Sequence, residues 1–307
     1  MKFCIPLPGT TQRLDIIDPV STAVQRAIRT NGLAEYEPST AAALLSLFSS
    51  HPTSLTFYDV GANMGVYSEL CASLFPDASV VAFEPTPATA KILQNISTRN
   101  DLGIQVETSA VGDEIGTLDL YLSPTSDASN SLVAGFRQAT ETIKVPVTTI
   151  DEFVNAGGPA PDVIKIDVET YEPSVLRGAR ETLRKHRPSI VIEVLKRNNT
   201  DHGPDIETLV ADLSYKYYHL GPEPDWQPLP HIYGVPHSQC RDWLLTPSEI
   251  GDQFPTYFSQ WKADLAECGP ERNDRPSNLQ MIGALRRHVG WRKIVPKLQG
   301  IVFHRIR

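Results

Sequence analysis

Five apolar runs recur along the chain with helical patterns between them, and this alternation limits the fold more than any other feature. The runs are LTFYDV (Leu55 to Val60), SVVAFE (Ser79 to Glu84), IQVETSAV (Ile104 to Val111), DVIKIDV (Asp162 to Val168) and SIVIEVL (Ser189 to Leu195). Helical stretches fall at Val66 to Leu74, Thr89 to Thr98 and Ser174 to His186. Continuous apolar strands separated by helices predict an α/β, doubly wound, mostly parallel sheet with helices on both faces. A hairpin is inserted between the third and fourth runs, TLDLYLS then TIKVPVTTI, joined by the polar loop PTSDASNSLVAGFRQATE.

Three segments follow from this frame. Residues 1–54 read as a lead-in with helices at Val20 to Arg29 and Ala41 to Ser49, where Ser and Thr supply caps. Residues 55–246 carry the sheet and close on YKYYHLG and a last strand in CRDWLLTP. Residues 247–307 read as a helical C-terminal extension. Between YKYYHLG and CRDWLLTP lies the stretch Pro222 to Gln239, with five prolines beside Trp226, His231, Tyr233 and His237. A structureless loop of that length is more often functional than a plain connector.

With 307 residues and a formal charge of -8, the chain offers no global attraction to a phosphate backbone, so nucleic acid is not an expected partner. The charge is uneven, because Arg286 to Arg307 holds seven Lys or Arg and no acid. That tail, with Trp291 and an interrupted apolar stripe, fits peripheral contact with anionic lipid, or packing on the acidic body or on a partner subunit. Cys4, Cys71, Cys240 and Cys268 form no C-x-x-C pair, which argues against a zinc site and a disulfide framework. MKFCIPLPGTTQRLD has prolines where a signal peptide needs its apolar core, and no run of about 18 apolar residues occurs. A cytoplasmic protein is the expectation.

The first run ends in TFYDVGANMGVYSE, a strand followed by Gly61 and Gly65 and then a helix. It lacks the Walker lysine and the G-x-G-x-x-G spacing that bring backbone to a pyrophosphate. Asp59 at the strand tip would repel phosphate and suits a ligand with a positive end. About 25 residues on, Glu84 ends the next strand, where a carboxylate can grip two ribose hydroxyls. A phosphate-free adenosine with a cationic amino-acid end, S-adenosylmethionine, matches both.

These residues resemble the FkbM family of S-adenosylmethionine-dependent methyltransferases. DVGANMGVYS is similar to the family's cofactor loop, VVAFEPTPATAKIL to its ribose-binding strand and helix, and SAVGDEIGTLDLY to its third strand and hairpin. VPVTTIDEF looks like the lead into its fourth strand, and IKIDVETYEPSVLRGA resembles the signature K-I-D-V-E-G-x-E-x-x-V-L-x-G-A. The likeness runs from Thr56 to Leu195 and implies a Rossmann-like methyltransferase sheet. The cofactor-binding set is then Asp59, Gly61, Asn63, Gly65, Glu84, Ser109 and Ala110. Thr170 stands where the family has glycine, so the turn after Glu169 either takes another shape or never needed glycine.

Methyl transfer from a sulfonium needs the acceptor aligned with the methyl carbon and its proton removed. Ligands of open α/β sheets lie beyond the carboxyl ends of the strands, where Asp167 and Glu193 end theirs. The two can act as base and orienter, or jointly hold a divalent cation such as Mg2+. Lys165 reads as an ion-pair partner of Asp167, and Glu172 as a partner of a helix N-terminus. His231 and His237 are base candidates in the Pro-rich loop, Trp226 and Tyr233 could stack on a sugar or pack under their own loop, and Asn130 and Ser131 are candidate donors to substrate. The acceptor class, a hydroxyl of a saccharide, glycolipid or polyketide-like product, comes from the resemblance. The alternatives are a nucleic-acid methyltransferase, for which a basic groove and an N-P-P-Y-like motif are lacking, and a non-catalytic cofactor-binding scaffold. A homo-oligomer is compatible with all three.

Overall fold

The computed structural model describes residues 3–16, 20–51, 53–123, 130–133, 141–197, 200–235 and 240–270. In chain order the elements are β1 (Phe3–Pro6), β2 (Arg13–Ile16), α1 (Ala23–Asn31), α2 (Pro38–Ser49), β3 (Thr56–Val60), α3 (Val66–Leu74), β4 (Ser79–Phe83) and α4 (Pro87–Arg99). There follow β5 (Gln105–Glu107), β6 (Ala110–Val111), β7 (Gly116–Leu122), β8 (Glu141–Thr148), α5 (Ile150–Asn155), β9 (Val163–Ile166), α6 (Glu172–Arg177) and α7 (Arg180–His186). The remainder is β10 (Ser189–Glu193), β11 (Lys196–Arg197), β12 (Thr200–Asp201), α8 (Gly203–Val210), β13 (Lys216–His219), β14 (Asp242–Thr246) and α9 (Phe254–Ala266).

Seven strands form the central sheet in the order β13-β14-β10-β9-β3-β4-β5. The strands from β10 to β5 pair in parallel, and β14 runs antiparallel between β10 and β13. The doubly wound, mostly parallel α/β sheet expected from the sequence is therefore present. The order reverses between β3 and β9, which opens the crevice where ligands of such sheets sit.

Alternate residues of each strand feed two cores. Phe57, Val80, Val163, Val191 and Leu244 pack with α2, α3, α4 and α9, while Tyr58, Val81, Ile164, Ile192 and Trp243 pack with α6, α7 and α8. Helix α2 is apolar nearly all round and is buried from Ser39 to Phe48 between the sheet and α9. The same period-2 rule puts Asp59, Lys165, Asp167, Glu193 and Asp242 on the α2 and α3 side of the sheet.

Local structure departs from the sequence reading in three places. The lead-in begins with a hairpin, β1 on β2, because Phe3, Ile5, Leu14 and Ile16 alternate inward about the turn after Leu7. The helix α1 that follows is closed by a capping box in which Thr22 accepts from the Gln25 amide and the Gln25 side chain accepts from the Thr22 amide. The run IQVETSAV splits at Thr108 and Ser109: β5 stays in the main sheet and β6 joins β8 and β7 in a separate three-stranded sheet. The single helix expected over Ser174 to His186 is two, α6 and α7, interrupted at Gly178 and Ala179. No helix among the described residues is long and apolar enough to cross a membrane. The basic tail from Arg286 to Arg307 lies outside the described residues.

Candidate active site

Beyond the end of β3 the chain turns sharply at Gly61, whose φ is +82°. A Cβ there would fall 1.9 Å from the Asp167 carbonyl oxygen, so only glycine lets this loop pass the end of β9. The amides of Gly61 and Ala62 both donate to the Phe83 carbonyl at 3.0 Å and tie the loop to β4. Asn63 takes a left-handed conformation, φ +51°, and its Oδ1 accepts from the Met64 amide at 2.8 Å. Its own amide donates to Glu84 Oε2 at 2.9 Å, and the Thr86 amide donates to Glu84 Oε1 at 2.8 Å. Two backbone donors thus orient a buried carboxylate.

Glu84 faces a cleft of about 840 Å³ counted out to its open mouth. Gly61, Ala62, Asn63, Glu84 and Thr86 form one side of it, and Ser109 and Ala110 continue that side where IQVETSAV breaks. Asn130 and Ser131 cover it from the inserted hairpin; Ser131 Oγ donates to the Glu169 carbonyl at 2.8 Å. Tyr36, Tyr67, Lys165 and Asp167 stand on the opposite wall.

The structure therefore gathers Gly61, Asn63, Glu84, Ser109, Ala110 and Asp167 around one cleft. Two members of the expected cofactor set are elsewhere. Asp59 is fully buried beneath the cleft, where its Oδ2 accepts from Ser68 N at 3.1 Å and Ser68 Oγ at 2.7 Å. It holds the first turn of α3, so a role against the ligand's positive end is not its position. Gly65 answers to packing: a Cβ there would meet Leu93 Cγ of α4 at 2.7 Å.

Of the expected catalytic residues that the structure describes, only Asp167 lines the cleft. Burial alone would raise its pKa, but the charge and hydrogen bond of Lys165, 3.0 Å away, with Arg241 further off, hold it below the usual carboxylate range. Asp167 is thus a lasting anion and a poor proton acceptor. Glu193 is buried against Arg241 at 2.7 Å, and burial, then Asp167, pushes its carboxyl well up. The pair expected to share a divalent cation is instead bound to Lys165 and Arg241, with a hydrogen bond between Glu193 and Asp167 themselves. No group of three or more His, Cys, Asp or Glu among the described residues could hold a metal ion. His231 is largely exposed, pairs with Glu207 at 3.0 Å and does not line the cleft. His237 lies outside the described residues. Trp226 packs edge-on against Phe254 and Phe258 of α9, and Tyr233 packs edge-on against Trp243 of β14, so both rest on neighbouring elements.

The turn after β9 forms without glycine, and Glu172 stands in the first turn of α6. Glu169 and Thr170 both take positive φ, +53° and +83°, so the left-handed shape is kept without the glycine. Glu172 Oε1 clamps it by accepting from the amides of Val168 at 3.2 Å and Thr170 at 3.1 Å. Full burial pushes the Glu172 carboxyl up to about 8, so its place is inside the turn more than at a helix dipole.

Lys165 makes the ion pair with Asp167 read from the sequence, but several residues around it were not singled out there. Lys165 is buried among Asp167, Asp59, Glu37 and Asp242; burial would lower it, but these four carboxyls hold it above its usual value. Its ammonium sits 4.6 Å from the centre of the Tyr67 ring. The Tyr67 hydroxyl donates to Glu37 Oε2, and Thr40 Oγ1 donates to Asp242 Oδ2 at 2.6 Å. Tyr67 was inside the cofactor-loop motif and Arg241-Asp242 open the last strand, so a strand placed beside β10 would have found them. Nothing local marks Glu37.

Comparison with known proteins agrees with this architecture. A 27% identical relative over 194 residues is Methyltransferase 1 of Beauveria bassiana, covering 55% of this chain and 75% of that one. The hexuronic acid methyltransferase AglP of Haloferax volcanii is 32% identical over 41% of this chain and 51% of its own. The 31-O-demethyl-FK506 methyltransferase FkbM of Streptomyces tacrolimicus is 26% identical over 45% of this chain and 64% of its own. The model of the methyltransferase FkbM domain matches residues 59–217, just over half of the 307, and takes in the cofactor-side loop, the inserted hairpin and both Lys165 and Asp167. The chain is a methyltransferase and belongs to the FkbM family.

Proposed function

We propose that this methyltransferase uses S-adenosylmethionine and methylates a hydroxyl of a saccharide, glycolipid or polyketide-like product. The position of Glu84 carries the cofactor reading: it is a buried carboxylate preset by the Asn63 and Thr86 amides in the lining of the cleft. Among the described lining residues the one cation is Lys165, on the far wall and tied to Asp167, so the Glu84 side is suited to a nucleoside without phosphates. Glu84 would hold the ribose hydroxyls, with Gly61, Asn63, Ser109 and Ala110 around the nucleoside. Asp167 replaces Asp59 as the anion facing a positively charged end. When bound, the cofactor supplies a methyl group on a sulfonium.

Support for the acceptor class comes from the names of two relatives, one acting on a hexuronic acid and one on 31-O-demethyl-FK506. The cleft's mixed lining of hydroxyls, an amide and carboxylates suits an oxygen-rich acceptor. The test is incubation with methyl-labelled S-adenosylmethionine and an extract of small glycosides, glycolipids and polyketides, followed by mass spectrometry. A labelled methyl ether supports the reading; label on nitrogen or on nucleic acid alone overturns the acceptor class.

A further inference from the structure

We infer that Tyr67 and Glu37 form a proton relay that carries the acceptor's hydroxyl proton out of the methyl-transfer cleft, with Glu37 as the final acceptor. The inference rests on the O-methylation reading above and assigns the base that reading lacks. Tyr67 lines the cleft from the first turn of α3, and its hydroxyl donates to Glu37 Oε2. Glu37 holds the left-handed position, φ 43°, just before Pro38 opens α2. It lines a second cleft, of about 790 Å³ up to its mouth, with Thr40, Arg241, Asp242 and Lys262. The dyad thus crosses the wall between the two clefts, one end at each.

Four other buried or cleft-side carboxylates have structural partners. Asp167 is matched by Lys165, Glu193 by Arg241, Asp59 holds the Ser68 turn and Glu172 clamps the turn after β9. Glu37 faces Asp242 of β14, Asp167 and Lys165 at the end of β9, and Tyr67 of α3, while Lys262 of α9 shares its cleft. Burial, then Asp242 and Asp167, raises its carboxyl to about 7, and Lys165 and the Tyr67 hydrogen bond partly oppose the rise. A proton acceptor works best when its pKa lies near the working pH. The Lys165 ammonium over the Tyr67 ring favours any negative charge that gathers on the phenol during transfer.

The step balances without a further reactant. The acceptor's O–H bond breaks and its proton passes to Tyr67 Oη as the Tyr67 proton moves to Glu37 Oε2. The acceptor oxygen bonds to the methyl carbon of the sulfonium donor, and the electron pair of the broken C–S bond returns to sulfur. A methyl ether, a neutral thioether and a protonated Glu37 result, and Glu37 then releases its proton into the second cleft.

Calorimetry of the full chain with S-adenosylmethionine and with S-adenosylhomocysteine, at pH 7 in two buffers of unlike ionisation enthalpy, tests the relay without an acceptor. The sulfonium should lower the Glu37 carboxyl and expel a proton that the neutral thioether leaves in place. Glu37→Gln should abolish that release while binding the thioether within about twofold of wild type, which shows that it folds. Tyr67→Phe should keep the release. With the acceptor found by the labelling experiment, both variants should lose at least about 10²-fold in kcat. Wild-type kcat/KM, which needs an unprotonated base in the free enzyme, should rise through about pH 7, and in Glu37→Gln that rise should be absent. Equal proton release in wild type and Glu37→Gln, or full turnover in Tyr67→Phe, overturns the relay. Failure of both ligands to bind overturns the cofactor reading itself.

Discussion

The two walls of the cleft are built on different principles. The Glu84 wall is backbone: two left-handed residues, Gly61 and Asn63, and amides that fix one carboxylate. The Lys165 wall is charge: a buried ammonium among Asp59, Asp167, Glu37 and Asp242, with Arg241 and Glu193 behind. The backbone wall carries little electrostatic strain, because its amides meet the Phe83 carbonyl and the Glu84 carboxylate at the end of the neighbouring strand. The charged wall is drawn from β3, β9, β10, β14 and the start of α2, and each group is tolerable only while the others are present. One wall is therefore suited to holding a ligand unchanged, the other to moving charge and protons beside it.

The sharpest way to break this contrast is Lys165→Met. Removal of the cation leaves Asp167 and its neighbours uncompensated, which should cost about 3–5 kcal/mol of folding stability. Denaturant unfolding at pH 7 would read it, and an unchanged midpoint would mean that the network is not held together by Lys165. Glu84→Ala addresses the other wall. It should weaken S-adenosylhomocysteine by about 1.5–3 kcal/mol in calorimetry, the range for hydrogen bonds to a charged group. Equal affinity in the variant would remove Glu84 from the ribose site. The smallest effect is expected at the turn joining the walls. Thr170→Gly relieves a β-branched residue at φ +83° and should stabilise the fold by about 1 kcal/mol, the low end for such strain. A lower melting temperature would show that the side chain contributes more than its backbone costs.

Legibility followed the same division. The strand runs, the doubly wound sheet and Glu84 could be read because apolar periodicity and a strand-end carboxylate are short-range signals. Asp59 misled because a carboxylate at a strand tip looks the same whether it faces a ligand or caps α3; the deciding contact, Ser68, depends on how α3 docks. Thr170 misled for a related reason: the left-handed turn is imposed by Glu172 from below, against the local preference of threonine. The histidine candidates rested on loop composition, and His231 found a partner in Glu207 on α8, away from the cleft.

What the amino-acid sequence determined by itself was the mostly parallel sheet and the glycine loop that opens the cleft, since these follow from hydrophobic period and from the few residues that accept positive φ. What only the tertiary structure decided was the state of each charge. Whether Asp167 is an anion, whether Glu37 can take a proton and whether Glu193 is matched all depend on which side chains lie within a few ångströms and on how far water is excluded. Lys165 and Asp242 are 77 positions apart, and Glu37 is more than a hundred from either, yet they share one buried field, because Coulomb energy depends on distance in space and on burial rather than on separation along the chain.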